Sequence, residues 1–302
     1  MKTIEKLDLN LLKTFVVLMD ECNVSRAAER LSLTQPAVSG MLNRLRESLN
    51  DPLFVRSQHG IVPTVRAKEL ASPIKKVLSE LDTALQPPVF SPQTSALTFS
   101  MAGTDYSLSA IILPFIKTLN ALAPDIRIAT HFIRDDQIFQ QMEKSLIDVA
   151  FMTPETAPGD LKGKVLFNEE YVCIMSVNHP LATQQQLTLD AFCNADHAIV
   201  SYQGGAFAGI TDQVLKEKGL ARKVAISVPS FLVLMELIQQ TQLIAVAPKR
   251  LVTNNINIKT MELPITIPGF TKYMVWHEST HLSPAHQWIR QQLENCINLI
   301  DC

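Results

Sequence analysis

Apolar side chains at Leu11, Leu12, Phe15, Val16 and Met19 keep the three-and-four spacing of an amphipathic helix over residues 9–22. A second, short helix is predicted over SRAAERL, rich in helix formers, with Ser25 as its cap. The triplet SLT interrupts it at 32–34. Thr34 is then placed to cap a third helix carrying Pro36 in its first turn, where a missing N–H costs nothing. On a wheel of that helix Val38, Leu42, Leu45 and Leu49 share one side, and Gln35, Ser39, Asn43 and Arg46 share the other. Two helices joined by so short a turn, inside a trihelical unit, predict a helix-turn-helix. Its polar row offers two amides, a hydroxyl and a guanidinium, groups that bond base edges and phosphates without any shift in pKa. The segment NDPLFVR follows, where a two-stranded wing would carry Arg56.

Residues 65–85 predict one more helix. Ala67, Leu70, Ile74, Val77, Leu81 and Ala84 alternate in steps of three and four, a coiled-coil seam suited to a second copy of the chain. Pro73 falls inside it and predicts a kink or a break. QPPVFSPQTSA, residues 86–96, carries three prolines (Pro87, Pro88, Pro92) without periodicity and reads as a hinge.

From Leu97 the pattern changes to short apolar runs separated by helical stretches. Strands are predicted at 97–102, 126–133, 148–153, 171–177, 197–202, 223–228, 243–247 and 272–276. Helices are predicted at 106–122, 137–146, 206–218, 230–240 and 284–299, the last folding back on the first half. That alternation indicates parallel sheets in an α/β domain, whose ligands lie at strand carboxyl ends beside helix starts.

The 302 residues accommodate about two domains. With 47% hydrophobic and 19% charged residues the composition is that of a soluble globular protein. No window approaches the ~18 apolar residues of a spanning helix, and Glu5, Asp8 and Asn10 interrupt what would be a secretion signal. A cytoplasmic protein is expected. Five scattered cysteines (Cys22, Cys173, Cys193, Cys296, Cys302) with no C-x-x-C pair suit reduced thiols rather than disulfides or a zinc knuckle, and a redox switch stays open as the lesser alternative. The net charge of −2 hides a local excess: Arg26 to Lys68 holds seven bases against three acids. A polyanion responds to that local sign within a Debye length of ~10 Å.

HESTH, residues 277–281, matches the H-E-x-x-H zinc-hydrolase pattern through His277, Glu278 and His281. That chemistry needs a helix beneath the histidines, and here a strand runs into them with Pro284 opening the helix afterwards. A surface turn is expected, with no metal. The glycines form no phosphate loop and no nucleophile elbow is present, so no enzymatic activity and no cofactor are expected.

SRAAERL, the turn, TQPAVS, DPLFVR and Pro63–Thr64 together resemble the N-terminal winged helix-turn-helix of LysR-type transcriptional regulators. The order of elements is similar to that family over the whole chain. DLNLL and WHESTH…AHQW look most like its NodD, NahR and LeuO branch. The resemblance implies a multidomain protein: a mainly α winged helix-turn-helix at 1–64, a linker and dimerisation helix at 65–85, a hinge at 86–96, and a two-lobed effector domain of the periplasmic-binding-protein kind at 97–302. Lobe I would comprise about 97–160 and 270–302, and lobe II about 165–266, with crossings near 160–168 and 266–270. Ser25, Arg26, Thr34, Gln35, Pro36, Ser39, Asn43, Arg44, Arg46, Arg56 and Thr64 would contact double-stranded promoter DNA. A small effector would lie between the lobes against Thr104, Asp105, Thr153, Tyr202, Gln203, Phe207, Ser230, Phe231, Val246 and Pro248. Thr104 and Ser230 also read as plain helix caps, and Phe207 and Phe231 as core. Asp105 at a helix start argues against an anionic effector. A homotetramer built as a dimer of dimers is implied, with RNA polymerase a further candidate partner; lobe closure on the effector would bend or relax the DNA. The alternatives are a ligand-binding protein without DNA function and the zinc hydrolase.

Overall fold

The computed structural model describes residues 8–58, 60–86, 90–202, 204–252 and 255–301. The chain divides into two compact units, Met1–Pro88 and Val89–Cys302.

The first unit opens with helix α1 (Leu9–Glu21), capped by the Asp8 carboxylate, then α2 (Val24–Arg30) and α3 (Gln35–Leu49). Asn23, not Ser25, caps α2: its side-chain oxygen accepts from the N–H groups of Ser25 and Arg26. The helix therefore starts two residues earlier than its strong formers suggest. Thr34 does cap α3, accepting from Ala37 N–H. Strands β1 (Phe54–Ser57) and β2 (Gly60–Pro63) pair antiparallel as the wing. Gly60 lies at φ +133°, and a Cβ there would stand 2.5 Å from the Cys22 carbonyl oxygen. Only glycine lets the wing close onto the end of α1.

Leu11, Phe15, Leu18, Val38, Leu45, Leu53, Phe54 and Ala67 form this unit's core. Helix α4 (Val65–Leu85) continues past Pro73 without a break. Pro73 is exposed, and lacking an N–H it leaves the Glu69 carbonyl without its helical donor, which water can reach. The first half of the expected seam is used internally: Ala67 is fully buried, and Leu70 and Ile74 pack on the same core. Lys75 fastens this half by an ion pair to Asp20 at 2.7 Å, which holds the Asp20 carboxyl below its ordinary pKa. Beyond it Val77 is 47% exposed and Ala84 is open to solvent, with Leu81 half-buried.

The second unit carries two five-stranded sheets. Strand β3 (Thr98–Gly103) leads into α5 (Asp105–Ser107), a π-helical turn (Leu108–Ile112) and α6 (Leu113–Leu122). Then come β4 (Arg127–Phe132), α7 (Ile138–Glu143), β5 (Val149–Met152), β6 (Lys162–Glu169) and β7 (Tyr171–Ser176). Helix α8 (Leu189–Asn194), β8 (Asp196–Val200), α9 (Ile210–Glu217), β9 (Lys223–Val228), α10 (Phe231–Gln240) and β10 (Ile244–Pro248) follow. Helix α11 (Lys249–Val252), β11 (Ile258–Met261), β12 (Phe270–Trp276) and α12 (Pro284–Asp301) complete the chain. The first sheet is ordered β4-β3-β5-β12-β6 and the second β11-β7-β10-β8-β9.

Both sheets are mixed rather than parallel: β12 runs antiparallel to β5 and β6, and β7 runs antiparallel to β10 and β11. The antiparallel strands are those through which the chain passes between lobes. Strand β6 belongs to the first sheet, so the outward crossing falls at Glu170 rather than at 160–168. The return lies between β11 and β12. Both β6 and β11 escape a sequence reading because neither alternates cleanly: β6 is mostly exposed around a short apolar stretch, and β11 buries only its two ends. At the return crossing a Cβ on Gly269 would overlap the Glu169 carbonyl oxygen at 1.9 Å, so the two crossing segments lie backbone to backbone. Helix α12 packs Ile289, Leu293 and Ile297 against Phe115 and Leu119 of α6, closing lobe I as expected.

Candidate DNA-reading face and inter-lobe cleft

In the first unit the wheel drawn for α3 holds. Val38, Leu42 and Leu45 are buried, Leu49 is half-buried, and Gln35, Asn43 and Arg44 face solvent, with Ser39 half-exposed. The Ser25 hydroxyl donates to Gln35 Oε1 at 3.2 Å, leaving the Gln35 amide N–H groups uncommitted. Arg26 donates to the Glu21 carbonyl oxygen at 2.7 Å yet stays 63% exposed. Arg44 reaches Asp8 only at 3.9 Å. Pro36 occupies the first turn of α3 and Arg56 is exposed on β1.

Two residues expected at the DNA have other work. Arg46 donates to the carbonyl oxygens of Pro52 (2.8 Å) and Phe54 (2.9 Å) and to Asn43 Oδ1 (3.1 Å), so its guanidinium ties α3 to the wing. Its position on the wheel is polar, and a planar fork of donors is suited to bridging two neighbouring backbone carbonyls. Thr64 caps α4 through Ala67 N–H and donates its hydroxyl proton to Asp51 Oδ1 at 2.9 Å.

In the second unit a cavity of about 380 Å³ lies between the lobes. From lobe I it takes Thr104, Tyr106, Thr153, Phe270 and Lys272; from lobe II it takes Tyr171, Ile199, Tyr202, Phe231 and Val246, among others. An adjoining, more polar chamber is lined by Thr104, Asp105, Thr153, Tyr202, Ser230 and Lys272, together with Arg134, Asp135 and Asp136.

Asp105 does not face the apolar cavity. Its Oδ2 accepts from the backbone N–H groups of Phe231 (2.5 Å) and Leu232 (3.2 Å) at the start of α10, in the opposite lobe. A carboxylate on a helix N-terminus is favourable, and here it is supplied by the protein. The Asp105 carboxylate is thus directed onto the α10 start rather than into the apolar cavity. Ser230 caps the same helix through Val233 N–H, and Thr104 caps α5, so the cap readings of both hold alongside their places in the cleft. Burial raises the Tyr202 phenol, as does the nearby Asp105 charge.

Three expected effector contacts are corrected or fall outside. Phe207 precedes α9, which begins at Ile210 rather than 206, and is 55% exposed away from the cavity. Pro248 is buried where β10 pairs with Tyr171 and does not line the cavity. Gln203 lies outside the described residues.

The side chains that a sequence reading missed are the most informative. Arg222 lines the cavity with its side chain only 2% exposed, but it is spent on a two-pronged pair with Asp212 (both 2.9 Å) and on His197 Nδ1 (3.2 Å). Lys272 is 4% exposed, lines both chambers, and has no hydrogen-bond or ion-pair partner among the described residues. Its ammonium stands 5.6 Å from the centre of the Tyr106 ring. Burial pushes its pKa down to about 8, opposed by the charge of Asp135. Opposite Lys272/Tyr273 the partner strand β6 carries a bulge, with Phe167 and Val165 paired to these two residues, so the alternation of β12 itself is unbroken. A signal existed: Phe270, Lys272, Met274 and Trp276 alternate on one face of β12, placing a lysine in a core row.

Behind the cavity Tyr106 donates to Glu169, and Arg250 stands 3.7 Å from the same carboxylate while stacking on Phe167. Burial raises the Glu169 carboxyl in spite of these partners.

HESTH forms a short 3-10 turn over Glu278–Thr280. His277 Nδ1 accepts from Ser279 N–H, His281 Nδ1 accepts from the Trp276 indole, and Glu278 pairs with Lys162 at 2.9 Å. No helix presents the two histidines on one face. No helix among the described residues is long and apolar enough to cross a membrane.

Two family descriptions match the chain: "Bacterial regulatory helix-turn-helix protein, lysR family" over residues 9–68, and "LysR substrate binding domain" over 93–296. The transcriptional activator NahR of Pseudomonas putida is 36% identical over 292 residues, covering 94% of this chain and 96% of its own length. The activator NagR of a Ralstonia species is 34% identical over 291 residues, covering 94% and 95%. Among solved structures, the probable transcriptional regulator PA0477 of Pseudomonas aeruginosa aligns with a TM-score of 0.58 at 29% identity, covering 98% of this chain and 99% of that one.

Proposed function

The chain belongs to the LysR family of transcriptional regulators, with that family's helix-turn-helix and substrate-binding domain, and from that premise we propose how its own residues divide the work. Gln35, Ser39 and Asn43 read base edges in a major groove, Arg26 and Arg44 hold phosphates, and Arg56 carries the wing to the backbone or minor groove. The observation that carries this is the division of α3. Its leucine stripe is buried in its own unit, while the opposite face keeps exposed amides with uncommitted N–H groups. Arg46 and Thr64 hold that face and the wing in place.

The effector is a small molecule in the inter-lobe cavity, and closure of the lobes on it changes how the DNA is bent. The protein acts as a homo-oligomer, a dimer of dimers, through Val77, Leu81 and Ala84 on the open half of α4. It works in the cytoplasm, without catalysis, metal or cofactor, and hands its signal to RNA polymerase.

The test is a gel shift on the DNA upstream of the protein's own gene over a salt series. Arg56→Ala should flatten the salt slope by about one unit for every sequence. Gln35→Ala should cost ~1–3 kcal/mol at the preferred site and relax base choice. If both variants behave alike, the assignment of roles is wrong. If the wild type ignores the DNA even in dilute salt, the chain is a ligand-binding protein with another output. Equal DNA bending with and without a bound effector overturns the closure step.

A further inference from the structure

Helix α3 carries a glycine in its interior, Gly40. Glycine is a poorer helix former than every residue but proline, because it surrenders the most backbone freedom. At Gly60 and Gly269 a nearby backbone leaves no room for a side chain. Gly40 has no such neighbour. A Cβ built on it meets no heavy atom within 4 Å beyond its own helix backbone and chain neighbours, and its φ is not positive. Nothing among the described residues calls for glycine there. On the helical wheel Gly40 points away from the buried Val38, Leu42 and Leu45, straight out from the unit. Pro36 and Gly40, both exposed and one turn apart, leave this outer line of α3 without an extended side chain over its first two turns. Gln35, Ser39 and Asn43 stand on one flank of the line and Arg44 on the other.

We propose that Gly40 is the point at which α3 comes closest to its operator: the missing side chain lets the first two turns of the helix seat against the floor of the major groove, and so sets the depth at which Ser39 and Asn43 meet base edges. This rests on the reading of α3 as the base-reading helix. Ser39 and Asn43 are short. They reach base edges only where the helix axis itself lies close to the floor, and a long side chain on the outer line would hold it off. The helix gives up intrinsic stability at Gly40 in return for that approach, the kind of local conflict expected where a surface meets a partner.

The experiment compares full-length wild type, Gly40→Ala, Gly40→Leu and Glu47→Leu in thermal melts and in gel shifts on two probes. One probe is the DNA upstream of the protein's own gene and the other is random-sequence DNA of the same length. Gly40→Ala and Gly40→Leu should melt at or above wild type, by about 2–6 °C for alanine. Both should nonetheless bind the upstream DNA more weakly, by about threefold for alanine and roughly tenfold to a hundredfold for leucine, the scale of forcing bulk into a packed contact. Binding to random DNA should change little, because it depends on phosphates held by Arg26, Arg44 and Arg56. Glu47→Leu adds the same bulk two turns further along the same outer line and removes a carboxylate, so it should bind at least as tightly as wild type. Wild-type affinity in Gly40→Leu overturns the proposal. So does a lower melting point for Gly40→Ala, which would place the need for glycine inside the protein, and so does equal weakening by Glu47→Leu. In each of these cases α3 still reads bases if wild type prefers the upstream DNA. If wild type shows no such preference, the base-reading assignment of α3 falls and the proposal with it.

Discussion

The Asp105 carboxylate accepts the Phe231 N–H at 2.5 Å, so a residue of lobe I caps a helix of lobe II. The contact binds the lobes beside the inter-lobe cavity and occupies the start of α10, which would otherwise attract an anion.

Asp105→Asn keeps the shape and removes the charge. The effector-domain transition in thermal melting of the full chain should fall by the equivalent of about 1 kcal/mol, and Asp105→Ala should cost more. Melting of Asp105→Ala at the wild-type temperature would show that the inter-lobe cap contributes nothing.

Arg46 and Arg56 should separate cleanly. Arg46→Ala leaves the Pro52 and Phe54 carbonyls without their donor and should cost ~1–3 kcal/mol of helix-turn-helix stability, with DNA affinity lost for every sequence. Arg46→Lys should rescue little, because one ammonium cannot span both carbonyls. Arg56→Ala should melt like wild type. Equal melting of the two alanine variants would refute the strut role of Arg46.

Lys272 gives stability a distinctive pH dependence. Its folded pKa of about 8 lies below the ~10.4 of an unfolded lysine. Between those values the unfolded chain binds the extra proton, so stability rises with pH across that window, by on the order of 3 kcal/mol. The charged and titratable groups lining the same two chambers are Tyr106, Tyr171, Tyr202, Asp105, Arg134, Asp135, Asp136 and Arg222. Denaturant titrations of wild type and Lys272→Met across the window should diverge; parallel curves would mean that the lysine titrates normally.

His197 acts at the acid end. It is fully buried, with a ring nitrogen 2.7 Å from the Phe192 carbonyl oxygen and Arg222 donating to Nδ1, which fixes the neutral ring with Nε2–H as donor. Burial lowers its pKa to about 4, and the Arg222 charge adds to this. As pH falls from ~6.5 towards that value the unfolded chain protonates first, so stability drops, by on the order of 3 kcal/mol. His197→Gln should flatten this acid limb in the same titrations; an unchanged limb would assign it to other groups.

The sequence by itself determined the helix-turn-helix, the split of α3 into a buried and an exposed face, and most of the alternating strands and helices that follow. Those features follow from spacing of three and four, caps such as Thr34, and Pro36 in a first turn, all of which act within a few residues. Thr104, Thr153, Tyr202 and Phe231 were legible as strand-end and helix-start positions for the same reason. Tertiary structure alone decided the rest. It sent Asp105 to α10 across 126 residues of chain, brought Arg46 onto the wing, and put Ala67 in its own unit's core instead of a dimer seam. It also made the sheets mixed, because the chain passes between lobes at Glu170 and must run back against its neighbours. Lys272 stands between the two cases: alternation along β12 placed it on a core face, but only the folded molecule shows that no carboxylate among the described residues forms an ion pair with it there.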